Sequence, residues 1–473
     1  MPDGAVGGDR ATTPVSAARD SYIPFDLRTV VRMCLDSTIW DPAAKGAFRR
    51  FTRVLAAFAA HEIREQCQAL KTAFAPIDPD SDCVRDEAAS HHSGPGADPH
   101  RISRLFRSLA ERADFREVSR QELLAALATV SAVDVRTHID FDDFSEVAVF
   151  RRGLTHCTIK TRRWFFLTRP REVPVYQRVL LMIAFEPAEY FVGKAAAKHP
   201  SRRKRARQPL VVDAPDGRSF APGGMYFFLY KDVPVNDIEL LFPNVETRMT
   251  RKDLILFSIP AFGASIPVAL KALPQVILLA GVTLYLIFGP EAARHVGVAK
   301  DQALQAMPLI TSLLALVIAF GGLAFRQYNN FKNKKIRFLK VITDTLFFKS
   351  VAANEAVFDT IAASAEDEES KEMILVYHWL VARPDQRLTI PQVDAEIRRW
   401  MRDTHGVQID LHTTDAIHHL NRISTMLPGR DAPLALVSVD DNGICRAAPV
   451  GDAIHILEAC WDALFTPREQ PGH

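Results

Sequence analysis

The apolar positions of this chain follow three rhythms in turn, and each predicts a different kind of structure. From Ala43 to about Phe74, Phe48, Phe51, Leu55 and Phe58 recur at three- and four-residue steps, with Arg49, Arg50, Arg53 and Arg64 elsewhere, as on an amphipathic helix. Asp41-Pro42 supplies its start and Pro76 with Asp78-Pro79-Asp80 its end. Shorter helices are predicted over Asp26–Trp40, Ile102–Ala113 and Ser119–Val130, the last opened by a capping box of Ser119 and Glu122. The rhythm then turns to β-branched and aromatic runs at Val147–Phe150, Cys157–Phe166, Gln177–Phe185 and Met225–Lys231, which predict a small sheet.

The third rhythm is nearly unbroken apolarity. Leu254–Gly289 is 36 residues with one charge, Lys271, and Ala306–Phe325 is 20 residues with none. A helix of about 20 residues reaches roughly 30 Å, the thickness of a hydrocarbon core. A Lys at a span centre costs about 3 kcal/mol, so Lys271 belongs near a span end. Either one span covers about 269–289 with 254–268 along the interface, or 254–270 and 276–288 are separate spans. The charged flanks favour two spans in all, at about 269–289 and 306–325. Arg248, Arg251 and Lys252 precede the stretch; Arg326, Lys332, Lys334 and Lys335 follow it, with no acid from Arg326 to Lys340. Basic flanks favour one face of a membrane, so a hairpin leaves both termini on the cytoplasmic or matrix side. Ala315, Ala319, Gly321 and Gly322 would permit close helix packing and a homo-oligomer.

Beyond the spans a helix is predicted over Lys340–Ala363, meeting Glu366-Asp367-Glu368-Glu369 as an acidic helix start or solvated face. Helices over Lys371–Val381, Thr389–His405 and Thr413–Met426, a hairpin across Asp441-Asn442-Gly443 and a closing helix Ala453–Phe465 follow in winged-helix order. That order invites a DNA-binding reading. Charge opposes it: Lys371–His473 carries ten basic and fourteen acidic residues, and the third helix offers Arg422 alone with Asp415 beside it. Nucleic acid is therefore not an expected partner.

The whole chain has 473 residues and a net charge of +2, so no global field points to polyanions. Six cysteines lie scattered without a C-x-x-C pair, which fits reduced thiols. No apolar leader occupies residues 1–23. The candidate chemistry is thin. Asp140, Asp142 and Asp143, with Glu146, form an acidic cluster able in principle to hold Mg²⁺ or act as acid and base, but Phe141 and Phe144 interleave with it as at a half-buried turn. His91-His92 lacks partners at ligand spacing. The basic run Gly193–Gln208 reads as a solvated insertion loop, with anionic lipid as the other contact it suits. No G-x-S-x-G, P-loop, H-E-x-x-H or G-x-G-x-x-G after a strand is present, so no catalytic residue, metal ligand or cofactor is assigned.

Several segments in order resemble a domain-of-unknown-function family, the one that includes transmembrane protein 143. They are Ala73-Phe74-Ala75-Pro76-Ile77-Asp78-Pro79-Asp80, Pro174-Val175-Tyr176-Gln177-Arg178, Phe228-Leu229-Tyr230-Lys231-Asp232-Val233-Pro234 with Asp237-Ile238-Glu239-Leu240-Leu241-Phe242-Pro243, and Arg326-Gln327-Tyr328 with Thr345-Leu346-Phe347-Phe348. The resemblance implies a two-span protein of bacterial, organellar or mitochondrial membranes, and it brings no reaction, cofactor or catalytic residue.

The sequence therefore predicts an α+β membrane protein. Its expected parts are a polar start (1–23), a helical region (24–135), an α+β region with a small β-sheet (136–252, insertion 193–208), a two-span transmembrane hairpin (253–326), a helical connector (327–370), a C-terminal winged-helix-like domain (371–466) and a tail (467–473). The expected role is a non-enzymatic scaffold or regulatory protein of an inner membrane, contacting the lipid bilayer, anionic lipid and an unknown protein partner. The alternatives are a membrane-proximal enzyme using the acidic cluster, and a transporter or channel component.

Overall fold

The computed structural model describes residues 22–36, 40–81, 98–123, 136–164, 167–198, 212–213, 219–248, 350–429 and 432–464, with single positions between 322 and 349. Eight described helices are used below: α1 (Leu27–Leu35), α2 (Pro42–Phe74), α3 (Pro99–Arg112), α4 (Ala188–Lys198), α5 (Glu355–Val381), α6 (Ile390–His405), α7 (Thr413–Arg422) and α8 (Val450–Leu464). The main sheet runs β1 (Arg116–Glu117), β3 (Phe144–Trp164), β4 (Leu167–Phe185), β7 (Met225–Pro234), β9 (Ser350–Ala353), antiparallel throughout. A short ladder joins β2 (Arg136–His138) to β8 (Glu246–Arg248), and another joins β5 (Val212–Asp213) to β6 (Ser219–Phe220).

Strand alternation divides the sheet between two cores. Ala148, Phe150, Leu180, Met182, Phe227 and Leu229 face the second half of α2, α3 and the first half of α5. Val149, Val179, Leu181, Ile183, Phe228 and Tyr230 face the opposite way, onto Ile238, Leu240, Leu241 and Phe242. Being covered on both faces explains why the last seven residues of β4 read Val-Leu-Leu-Met-Ile-Ala-Phe without a polar break.

A third core joins the two ends of the chain. Val30 and Cys34 of α1 and Phe48, Phe51 and Leu55 of α2 pack on Ile374–Leu380 of α5 and on Val393, Ile397, Ile417, Leu420, Ile456 and Leu457. Phe51 stacks on Tyr377 with ring centres 4.1 Å apart. Here β10 (Leu388–Thr389), β14 (Ile444–Ala447) and β13 (Val437–Val439) form a three-stranded sheet, β11 (Ser424–Thr425) pairs with β12 (Leu434–Ala435), and Gly443 at φ +74° turns the β13–β14 hairpin. Helices α2 and α5 thread both the sheet-facing core and this one, and they meet them in opposite order, so they run antiparallel.

Where α5 passes from one core to the other, it buries charge. Glu368, Lys371 and Glu372 are almost fully enclosed. Lys371 Nζ donates to Ile23 O (3.0 Å), Phe25 O (3.1 Å) and Glu368 Oε1 (2.7 Å). Glu368 also accepts from Arg152 Nη2 (2.6 Å) and from Ile23 N (3.1 Å).

Several expectations are corrected. Val147–Phe150 and the described part of the Cys157–Phe166 run, residues 157–164, belong to one strand, β3, which turns through Gly153 at φ +68°; a Cβ there would lie 2.6 Å from Gln177 Oε1, and residues 165 and 166 lie outside the described residues. The helix expected over Lys340–Ala363 gives way at residues 350–353 to β9, because Ala352 and Ala353 pair with Leu229 and Phe228 of β7. Asn354 fixes that break: its Oδ1 accepts from Phe227 N (3.2 Å) and its Nδ2 donates to Asp80 (2.6 Å). The acids Glu366–Glu369 sit in the middle of one 27-residue helix instead of starting one.

The membrane class is corrected as well. None of the described helices is long and apolar enough to cross a membrane. α2 has the length, but Arg49, Arg50, Arg53 and Arg64 punctuate it, and α5 carries the charged run Glu366–Glu372. The stretches 269–289 and 306–325 lie outside the described residues, except for Gly322 and Phe325, which are helical and exposed. What stands is an α+β protein; the two-span transmembrane hairpin, the membrane keywords and the inner-membrane placement with both termini on one side find no helix here to carry them.

Two consequences are measurable. Lys371→Met leaves buried Glu368 with Arg152 and Ile23 N but without its lysine, and takes the same donor from two carbonyls of the 23–25 segment, so chemical denaturation should show a loss of about 3–5 kcal/mol. His378, in α5, is enclosed by Trp40 and Phe48; burial, helped by Arg383, lowers its pKa from 6.5 to about 4. The unfolded chain then binds the proton first. Stability should be full above pH 6.5 and fall by about 3 kcal/mol as pH drops toward 4. His378→Phe should flatten that window in pH-dependent melts.

Candidate functional site

A polar cleft of about 800 Å³ opens between α2, α3, α5 and α7. Helical spacing builds each wall. α2 gives Glu62, Glu65, Gln66 and Ala69; α3 gives Ser108, Glu111 and Arg112; α5 gives Glu369, Glu372 and Met373; and His412 with Asp415, His418, His419 and Arg422 of α7 completes it. Six carboxylates thus face two arginines and three imidazoles.

The arginines are spoken for. Arg112 makes a two-pronged pair with Glu369, its Nη2 2.7 Å from Oε2, and lies 3.9 Å from Glu62. Arg422 lies 3.6 Å from Glu62 and His419 lies 3.7 Å from Glu369. The Arg422–Glu62 contact crosses from the N-terminal helices to the C-terminal module, and Arg112–Glu369 joins α3 to α5.

At the floor, Asp114, Glu372 and His412 converge, with one ligand-type atom of each within 4.8 Å of the others. Asp114 ends α3 in the left-handed region at φ +60°, after Ala113 and beneath a bond from Phe115 N to Ala110 O (3.0 Å). Its Oδ1 lies 3.3 Å from His412 Nδ1. Glu372 accepts from His412 N at 2.9 Å. Burial holds the Asp114 carboxyl well above the ordinary carboxylate range, and the neighbouring charges of Glu372 and Glu368 add to it. Burial does the same to Glu372, against the pull of the His412 N–H. One imidazole and two carboxylates are a donor set suited to a divalent ion.

The acidic cluster singled out in the sequence is placed elsewhere, behind the sheet. Asp140 caps a one-turn 3-10 helix by accepting from Asp142 N, Asp142 is exposed, and Asp143 is buried. Lys194 of α4 reaches both Asp140 (2.7 Å) and Asp143, and Asn244 Nδ2 donates to Asp140 O (2.6 Å) and Asp143 Oδ2 (3.1 Å). Lys194 is therefore half-buried in a helix, not in a solvated loop; residues 199–208 of that basic run lie outside the described residues. Of the basic flanks, Arg248 ends β8 opposite Arg136, Arg326 and Lys332 are helical and exposed, and Arg251, Lys252, Lys334 and Lys335 lie outside the described residues, as does His91-His92.

Sequence reasoning missed Asp114, Glu372 and His412, which belong to three separate elements. The available signal was Lys371-Glu372 set directly against the apolar run Met373–Leu380, a position where a soluble face gives way to a core.

The fold is α+β, and it holds a polar, carboxylate-rich cleft. Residues 176–356, less than half of the chain, match the model of a family described as a protein of unknown function, DUF3754. That match does not test the resemblance to transmembrane protein 143. The matched span runs from β4 to the start of α5, so every cleft residue lies outside it. No solved structure matches the chain.

Lys194→Met should leave Asp143 buried without its cation and lower stability by about 1–3 kcal/mol in denaturant titration. Adding Asp143→Asn should restore most of that loss, since the uncompensated charge is then gone.

Proposed function

We propose that the protein is a non-enzymatic scaffold that presents the acid–histidine cleft to a cationic ligand, such as a basic segment of a partner protein. One observation carries this reading: six carboxylates and two arginines share one cleft whose walls come from both ends of the chain. Its volume, about 800 Å³, suits a few side chains or a small ligand. Rigid helices supply every wall, which favours preorganised recognition over chemistry on mobile loops.

The geometry gives little support to an enzyme built on Asp140, Asp142 and Asp143. Lys194 and Asn244 occupy Asp140 and Asp143, which leaves Asp142 as the exposed one of the three. Nucleic-acid reading by α7 is also disfavoured, because Arg422 and His419 of that helix are turned toward Glu62 and Glu369.

The test is a fluorescence titration of the full chain with labelled oligo-arginine and oligo-glutamate peptides in the presence of EDTA. Binding should be confined to the basic peptide and should weaken with salt. Glu62→Gln with Glu65→Gln and Glu111→Gln should weaken it about tenfold, from roughly 0.5 kcal/mol per exposed charge. Equal binding of both peptides, or affinity untouched by the triple change, would overturn the reading.

A further inference from the structure

We propose that Asp114, Glu372 and His412 form a binding site for a divalent transition-metal ion of the Zn²⁺ class at the floor of the cleft. The inference rests on reading this cleft as a cation site, and it names the ion and its ligands.

Zinc bonds to imidazole nitrogen and carboxylate oxygen are about 2.0–2.2 Å, which sets tetrahedral donors roughly 3.5 Å apart. Here His412 Nδ1 and Asp114 Oδ1 are already 3.3 Å apart, and all three donor atoms fall within 4.8 Å. Small rotations of Asp114 and Glu372 close the set. The imidazole favours zinc-like ions over Mg²⁺ and Ca²⁺, which take oxygen donors.

Three features separate the trio from an ordinary surface cluster of acids. Both carboxylates are buried, Asp114 at 3% and Glu372 at 7% exposure. The donors are of mixed type, an imidazole beside two carboxylates, where a surface acidic cluster offers oxygen alone. His412, with its side chain 40% exposed, and Glu372 both line the cleft, so an ion has a path in and keeps a coordination position toward it. The ligands come from the end of α3, the middle of α5 and the entry to α7, so the ion would clasp the C-terminal module to the N-terminal helices.

The full chain, stripped with EDTA and dialysed, is titrated with Co²⁺ and then Zn²⁺. One equivalent of Co²⁺ should give a visible d–d absorption that one equivalent of Zn²⁺ abolishes, and Zn²⁺ should raise Tm. His412→Ala and Glu372→Gln should each weaken uptake by more than about a hundredfold, beyond the 10–100-fold typical of losing an outer-shell partner. His91→Ala with His92→Ala should leave it unchanged. His412 is half-exposed, so its variant keeps the test open if Glu372→Gln fails to fold. Absence of stoichiometric uptake, or uptake equal in wild type and His412→Ala, overturns the site. Oligo-arginine binding in EDTA that persists without metal uptake would leave the scaffold reading intact and remove this one.

Discussion

The bond between Lys371 and Glu368 is the constraint on which the rest of the molecule depends. α5 leaves the sheet-facing core at Ala365 and enters the C-terminal core at Met373, and the turn between would bury bare charge in any other setting. Its two ions neutralise each other, and each also holds a distant segment: Lys371 takes the carbonyls of Ile23 and Phe25, and Glu368 takes Ile23 N and Arg152 from β3. A buried pair contributes little net stability compared with a well-packed apolar substitute. What it supplies is register. An apolar turn would let α5 slide by one residue against the sheet; three hydrogen-bonded segments meeting at fixed atoms do not.

The same turn aims the cleft. Successive residues of a helix are about 100° apart, so 368 and 371 share one direction and 369 and 372 share the next. The first pair fixes the helix to the N-terminal segment and the sheet. The second then points Glu369 at Arg112 and Glu372 at His412 and Asp114. Orientation of the cleft acids is thus inherited from the buried pair beside them.

Local patterns were legible in the sequence and long-range ones were not. α2 begins and ends within a residue of its expected limits because its caps, Asp41-Pro42 and the 76–80 prolines, are written next to its periodicity. The β13–β14 turn at Asp441-Asn442-Gly443 was readable for the same reason. Residues 366–372 misled because acids in a row are usually solvated; Glu368, Lys371 and Glu372 are buried and Glu369 half-buried by partners from residues 23–25, 112, 152 and 412, which no local window contains. The Asp140–Asp143 cluster showed its acids but not Lys194 and Asn244, which neutralise and bind it. The trio at the cleft floor was invisible for the same reason.

The C-terminal module shows how a familiar order of elements can be put to a different use. In a winged helix that reads DNA, the helix after the turn lies free to enter the major groove. Here that helix is α7, and it packs on α5 through Ile417 and Leu420 while Asp415, His418, His419 and Arg422 line an acid-walled cleft. A phosphate backbone approaching it would meet Glu62, Glu65 and Glu111 first, and each would repel it. The charges that exclude a polyanion are the ones that attract a cation, so the docking of α7 selects the sign of whatever the cleft binds.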